Sequence, residues 1–149
     1  MKIFVTVGTT RFDSLIDACR NDIFFRSHDC VVQTGPGGGK VETADSFEYT
    51  NDIERFYVWA DVIVTHAGAG SIYRLLELKK KLVIVPNLDR LDKHQLDIAT
   101  FMSEHGYALS ISDVNELSSV VSLAYEKEFR EFVKEDFFAA AEVLDFVSS

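Results

Sequence analysis

The sequence predicts an α/β fold in which a parallel sheet carries helices on both faces. Short apolar runs alternate with amphipathic stretches, the pattern of strands joined by crossover helices. Several of those runs end in loops rich in Gly, Thr, Ser or His, where an open parallel sheet presents its ligand-binding edge. With 149 residues, 47% of them hydrophobic and 26% charged, the chain has the size and balance of one domain, residues 1–149, around one continuous core.

Lys2 to Val7 reads as the first strand, which stops at Gly8-Thr9-Thr10. Asp13 opens a helix whose apolar stripe is Ile16, Cys19 and Ile23. Cys30 to Thr34 is a second strand, broken by Gly35-Pro36-Gly37-Gly38-Gly39, a run that continues neither element and reads as a flexible loop. Ser46 to Tyr49 is a short third strand, followed by a helix from near Asn51 or Asp52. Asp61 to Thr65 is the clearest central strand; it runs into His66-Ala67-Gly68-Ala69-Gly70-Ser71 and a helix through Leu75, Leu76 and Leu78. Leu82 to Val85 follows, stopped by Pro86-Asn87. Asp92 is placed to N-cap a helix from about Lys93 that buries Ile98, Phe101 and Met102 and ends at Gly106. Tyr107 to Ile111 is the last strand. Two helices close the chain, one buried through Leu117, Val120, Val121 and Ala124, the other carrying Phe129, Val133, Phe137, Ala140, Leu144 and Val147. With Phe132, Phe138 and Phe146 the last helix has more aromatic surface than one helix needs to bury, which leaves core packing and partner docking both open.

Composition narrows the function. No apolar run reaches the roughly 18 residues of a membrane span, and the N-terminus lacks the pattern of a signal peptide, so a soluble cytoplasmic protein is expected. A formal charge of −9 argues against a general affinity for nucleic acid or anionic lipid. Lys79-Lys80-Lys81, with Arg74, Arg90 and Lys93 near it in sequence, is a local exception. It reads as cations complementing a helix C-terminus, or as a basic rim near a phosphate or membrane surface. Cys19 and Cys30 lie in apolar patterns and read as core thiols; no metal-ligand spacing occurs, and no metal or other cofactor is expected.

The loop from His66 through Gly68 and Gly70 to Ser71 joins a strand to a helix. Glycine lets backbone N–H groups approach phosphate oxygens and the helix N-terminus favours negative charge, so the loop reads as a diphosphate cradle or as a tight turn without a ligand. Two commoner nucleotide motifs fail. A P-loop ending at Gly39-Lys40 needs Gly at Thr34 and Ser or Thr at Val41, and a dinucleotide fingerprint needs Gly at Tyr73. A second cluster, Pro86 to Gln95, places His94 and Gln95 in the first turn of a helix on the same rim. Such a pair suits a polyhydroxylated ligand or is a solvated helix start.

Val5-Thr6-Val7-Gly8-Thr9-Thr10, Gln33-Thr34-Gly35, Ala60 to Ile72, Val85-Pro86-Asn87 and Asp92-Lys93-His94-Gln95 follow one another in the order and spacing of a known pattern. The chain resembles the Alg13/PssE-like group, similar to the C-terminal half of family 28 glycosyltransferases of the MurG type, over most of its length up to about Gly106. That resemblance implies a Rossmann-like half of a GT-B enzyme. It implies the donor-binding, catalytic subunit of a two-component glycosyltransferase that moves a sugar from a UDP-sugar to a lipid-diphosphate-linked acceptor. The other half would be a membrane-associated Alg14/PssD-like subunit that presents the acceptor and supplies the general base. The alternatives are a non-catalytic UDP-sugar-binding or accessory subunit and, less in keeping with a half-enzyme, another UDP-sugar enzyme such as an epimerase.

By the same resemblance His66, Gly68, Gly70 and Ser71 match the diphosphate loop, with His66 stabilising the leaving group. His94 and Gln95 match the pair facing the donor sugar, and Gly8, Thr9 and Thr10 match the first loop. Tyr49 to Ile53 falls where the base is held. Two positions depart from the pattern. Arg74 stands where relatives carry a ribose-binding Glu, for which Glu77 is a possible substitute, and Arg74 itself has the reach of a phosphate ligand. Lys79-Lys80-Lys81 replaces the usual Gly-Lys-Pro.

Overall fold

Six strands form a parallel sheet in the computed structural model, which describes residues 1–8, 10–42, 44–88 and 93–131. They are β1 (Lys2–Thr6), β2 (Asp29–Gln33), β3 (Asp45–Phe47), β4 (Val62–Thr65), β5 (Lys81–Ile84) and β6 (Leu109–Ser110). Their order across the sheet is β3-β2-β1-β4-β5-β6, and every neighbouring pair is parallel. The chain works outward from β1 in one direction and from β4 in the other. The connections leaving these two central strands therefore diverge, and a crevice opens beyond their carboxyl ends.

Both faces of the sheet are covered, which is why Ile3–Val5 of β1, Val62–Val64 of β4 and Leu82–Ile84 of β5 are apolar in unbroken runs rather than at alternate positions. Ile3, Val5, Val7, Val62, Val64, Val83 and Val85 form one core with α1 (Asp13–Asn21), α2 (Ile23–Arg26) and α6 (Leu117–Glu126), the last preceded by a 3₁₀ turn at Val114–Glu116. Phe4, Ile63, Leu82 and Ile84 form the other with α3 (Glu54–Trp59), α4 (Ala69–Glu77) and α5 (Lys93–Glu104). The α/β architecture expected from the sequence is observed.

Several local expectations are corrected. The first helix does not continue to Ile23. Asp22 turns to an extended conformation and caps α2 by accepting the Phe24 N–H, so Ile23 is 72% exposed and Phe25 takes the buried place. The third helix starts at Glu54 instead of Asn51 or Asp52, and the last strand keeps only Leu109–Ser110, although Tyr107 and Ile111 beside it are buried. Phe101 and Val120 are only partly buried. Phe129 lies on a non-helical segment against the first core, with the Arg130 N–H donating to the Gly106 carbonyl, so no helix begins there. The expectations for Phe132, Val133, Phe137, Phe138, Ala140, Leu144, Phe146 and Val147 lie outside the described residues, as do those for Thr9, Arg90 and Asp92.

The Gly35–Gly39 run is folded against the sheet edge. A Cβ on Gly35 would stand 2.9 Å from the Thr10 carbonyl, and one on Gly38 would stand 2.5 Å from Thr34 Cβ. Arg20 donates to the Gly38 and Lys40 carbonyls from the helix alongside. The run is a close-packed turn bound to its neighbours, rather than the free loop its composition predicts.

The lysine triplet closes α4. Lys79 takes a left-handed conformation at φ 57°, its N–H bonds the Leu76 carbonyl, and the Lys80 N–H bonds that of Leu75. This is the two-bond helix stop that glycine usually makes. The Lys80 ammonium is half-buried and donates to the Val58 and Ala60 carbonyls at the end of α3, and burial lowers its pKa. Lys79 pairs with Glu131, and Lys81 donates to the Tyr125 carbonyl. Lys79 and Lys80 precede β5 and Lys81 opens it, all at the amino ends of the strands on the far side of the sheet from the crevice, so they form no rim around it.

Candidate functional site

The crevice begins with three polar side chains in one row of the sheet. Thr6 pairs in register with Gln33 on one side and Thr65 on the other, and all three are buried. The Thr6 hydroxyl donates to Gln33 Oε1 at 2.5 Å and accepts the Gly8 N–H at 3.1 Å. The last turn of β1 is thereby tied down before the chain enters the first loop. Gly8 follows at φ 63°, a left-handed conformation that suits glycine, and the Thr10 N–H closes the turn on the Val7 carbonyl.

His66 sits at the carboxyl end of β4, between the two loops. A Cβ on Gly8 would meet His66 Cε1 at 3.1 Å, and one on Gly68 would meet His66 Nε2 at 3.0 Å. The imidazole is thus packed against bare backbone from both loops. Its Nδ1 is buried without a hydrogen-bond partner, and burial lowers its pKa, so the ring is neutral at pH 7 and able to accept a proton or donate one. The chain then turns tightly, with the Gly68 N–H on the His66 carbonyl at 2.8 Å, and enters α4. No side chain caps this helix; its first intrahelical bond runs from the Ile72 N–H to the Gly68 carbonyl. The amides of Ala69, Gly70 and Ser71 precede that bond, and apart from its own helix turn nothing lies within 4 Å of where a Gly70 Cβ would stand. Such a helix start attracts an anion through its amides and its dipole together.

The remaining predicted residues divide. Ser71 lies beside the phenol of buried Tyr57 on α3, whose pKa is raised by that burial. Gln95 accepts the N–H of buried Asn87 at 2.9 Å, and Asn87 Nδ2 donates to the Arg11 carbonyl at 3.2 Å. Gln95 therefore orders the loop after β5 against the first loop. His94 is exposed beside it, at the start of α5. Arg74 is held by two carboxylates, Glu54 at 2.7 and 3.2 Å and Glu77 at 3.3 Å. Thr9 is outside the described residues.

Sequence reasoning missed five members of this arrangement: Thr6, Gln33, Asn87, Tyr57 and Glu54. Gln33 and Asn87 carried a signal, since a polar residue closing an apolar strand in a two-sided sheet must find a partner. Tyr57 and Glu54 carried none, because the residues they meet are 14 and 20 residues away on another helix. Among the described residues no cluster of His, Cys, Asp or Glu is grouped to hold a metal ion, and no helix is long and apolar enough to cross a membrane.

Comparison with known proteins agrees with this architecture. Residues 2–144 match the glycosyltransferase family 28 C-terminal domain. A human protein named UDP-N-acetylglucosamine transferase subunit ALG13 is 33% identical over 118 residues, covering 70% of this chain but 10% of its own length. Its counterpart from Yarrowia lipolytica is 26% identical over 151 residues, covering 87% of this chain and 74% of its own. The chain thus spans about a tenth of the human relative and most of the yeast one. Among solved structures, the solution structure of ALG13 superposes with a TM-score of 0.67 at 20% identity, over 99% of this chain and 97% of the other. MurG from Acinetobacter baumannii superposes with a TM-score of 0.57 at 16% identity, over 99% of this chain and 52% of the other, a likeness of fold. A Rossmann-like parallel sheet with its crevice at the β1–β4 divide, matched over nearly its whole length, places the chain in the glycosyltransferase family 28 C-terminal domain family.

Proposed function

We propose that the chain is the donor-binding, catalytic subunit of a two-component glycosyltransferase that transfers a sugar from a UDP-sugar to a lipid-diphosphate-linked acceptor. The observation that carries the reading is His66, wedged between Gly8 and Gly68 above the uncapped start of α4. A nucleotide diphosphate seated there would receive amide hydrogen bonds, a helix dipole and an imidazole able to take up charge as UDP departs. His66 is the leaving-group stabiliser in this scheme. Gly8, Thr9, Thr10, Gly68, Gly70 and Ser71 form the diphosphate loops, and His94 with Gln95 flanks the donor sugar. No metal or other cofactor enters it.

The acceptor hydroxyl must lose a proton to a general base. We place that base on a membrane-associated partner of the Alg14/PssD type, which would also hold the lipid-linked acceptor and bring this subunit to the cytoplasmic membrane face. Support for a partner comes from the relatives, which are named as subunits of a transferase. UDP-N-acetylglucosamine, named in the relatives, is the donor to examine first.

An NMR titration of the purified chain with UDP, UDP-sugars, ADP and NAD tests the reading. Shifts at Gly8–Thr10, His66–Ser71 and His94–Gln95 that favour uridine compounds support it. A response to none of them, or an equal response to ADP and NAD, rejects it. Binding without sugar transfer in the complete pair would identify a non-catalytic subunit instead.

A further inference from the structure

Arg74 looks at first like a cation turned towards a phosphate, but its guanidinium is occupied. Nε and one terminal nitrogen grip both oxygens of Glu54 at 2.7 and 3.2 Å, and the other terminal nitrogen reaches Glu77 at 3.3 Å. Two carboxylates around one guanidinium leave the group with a net negative charge. Arg74 cannot serve an anion without giving up this fork. What the group offers outward is carboxylate oxygen.

The two acids are not equivalent. Glu77 comes from the same helix, three residues on, through a single long contact. Glu54 comes from the first turn of α3 and is fixed through both oxygens, each of which keeps a second lone pair for another donor. Its helix is docked independently: Tyr57, on the next turn, is buried in the second core with Ile72 and Leu75 of α4, and the Lys80 ammonium holds the end of α3. Arg74 lies five residues beyond Ala69, about 7.5 Å of axial rise. The Arg74–Glu54 pair therefore flanks the path a nucleoside would follow away from a diphosphate at the α4 start.

A ribose diol presents two donors and is suited by a fixed carboxylate. We infer that Glu54, held in place by Arg74, accepts the ribose hydroxyls of the bound nucleotide. Glu54 is the specificity residue and Arg74 its positioning residue. The inference rests on the donor-site reading above, and it explains how an arginine at position 74 is compatible with nucleotide binding.

Calorimetric titration of the purified chain with UDP and with 2′-deoxy-UDP separates the two. The wild type should bind UDP about tenfold more tightly than the deoxy compound, the usual effect of a hydrogen bond to a charged group. Glu54→Ala should lower UDP affinity more than that of the deoxy compound, which loses only its 3′ contact, and so bring the two close together. Arg74→Met should reduce the discrimination while Glu77→Gln preserves it. Retained discrimination in Glu54→Ala overturns the inference, as does an equal loss for both ligands, which marks a structural role. If the wild type binds neither ligand, the donor-site reading itself falls and the inference falls with it. An unchanged circular dichroism melt of each variant excludes simple unfolding.

Discussion

A Cβ on Gly68 would stand 3.0 Å from His66 Nε2, so the backbone of one residue sets the position of the other's ring. Gly68→Ala should displace the imidazole with little loss of fold, since the ring rather than backbone gives way. Gly8→Ala adds the strain of φ 63° to a 3.1 Å contact and should be the more damaging change. A destabilisation of about 1–2 kcal/mol is expected for Gly8→Ala in urea denaturation. Equal stability of Gly8→Ala and wild type would show that the loop relaxes freely.

Burial lowers the His66 pKa below its ordinary value of 6.5. The unfolded chain therefore binds a proton at His66 more readily than the folded one. The stability contributed by the neutral ring is full above about pH 6.5 and is lost as pH falls from there through the lower folded-state pKa. Comparing urea midpoints of wild type and His66→Gln at pH 5 and pH 8 isolates this contribution. The wild type should lose more stability towards acid than the variant.

Thr6 has two partners in a buried row, Gln33 Oε1 and the Gly8 N–H. Thr6→Val keeps shape and β-branching while stranding both. A loss of about 1–3 kcal/mol is expected, together with faster amide exchange at Gly8. A near-neutral Thr6→Val would mean that water replaces the hydroxyl.

Lys79 holds a left-handed conformation that glycine adopts without strain. Lys79→Gly should raise the melting temperature by about 2–4 °C, despite loss of the exposed contact to Glu131. A lowered melting temperature would show that the ion pair outweighs backbone strain.

Both cysteines are buried and reduced, and burial pushes Cys30 up to about 12 and Cys19 upward as well. Neither thiol should react with a disulfide reagent in the folded protein at pH 8, and both should react on unfolding. Rapid labelling of the native chain would reveal local opening of the core between α1 and β2.

The sheet was legible because burial on both faces writes itself into the strands. Lys2 to Val7, Asp61 to Thr65 and Leu82 to Val85 have no alternation to confuse them with surface strands. The glycines at 8 and 68 were legible as loop residues, and the structure supplies their reason, the His66 ring. What escaped notice depends on partners distant in sequence. Ile23 fits a helical stripe until Asp22 caps a new helix, and the bond from the Asn87 N–H to Gln95 joins the loop after β5 to α5 and leaves no local trace. Arg74 reads as a free cation because Glu54 belongs to another helix, and Lys80 serves the end of α3 rather than its own helix.

The strand order also governs how the chain assembles. β1 leaves the ribosome first, yet one of its two neighbours is β4, whose Val62 pairs with Ile3. At ordinary translation rates of about 5–20 residues per second, seconds pass before that neighbour exists. Through that interval β1 can join β2 and β3, but its other edge, lined by Ile3, Phe4 and Val5, stays open to any extended peptide. A central strand of the finished protein is thus an exposed edge of the nascent one, and chaperone cover during synthesis would matter most there.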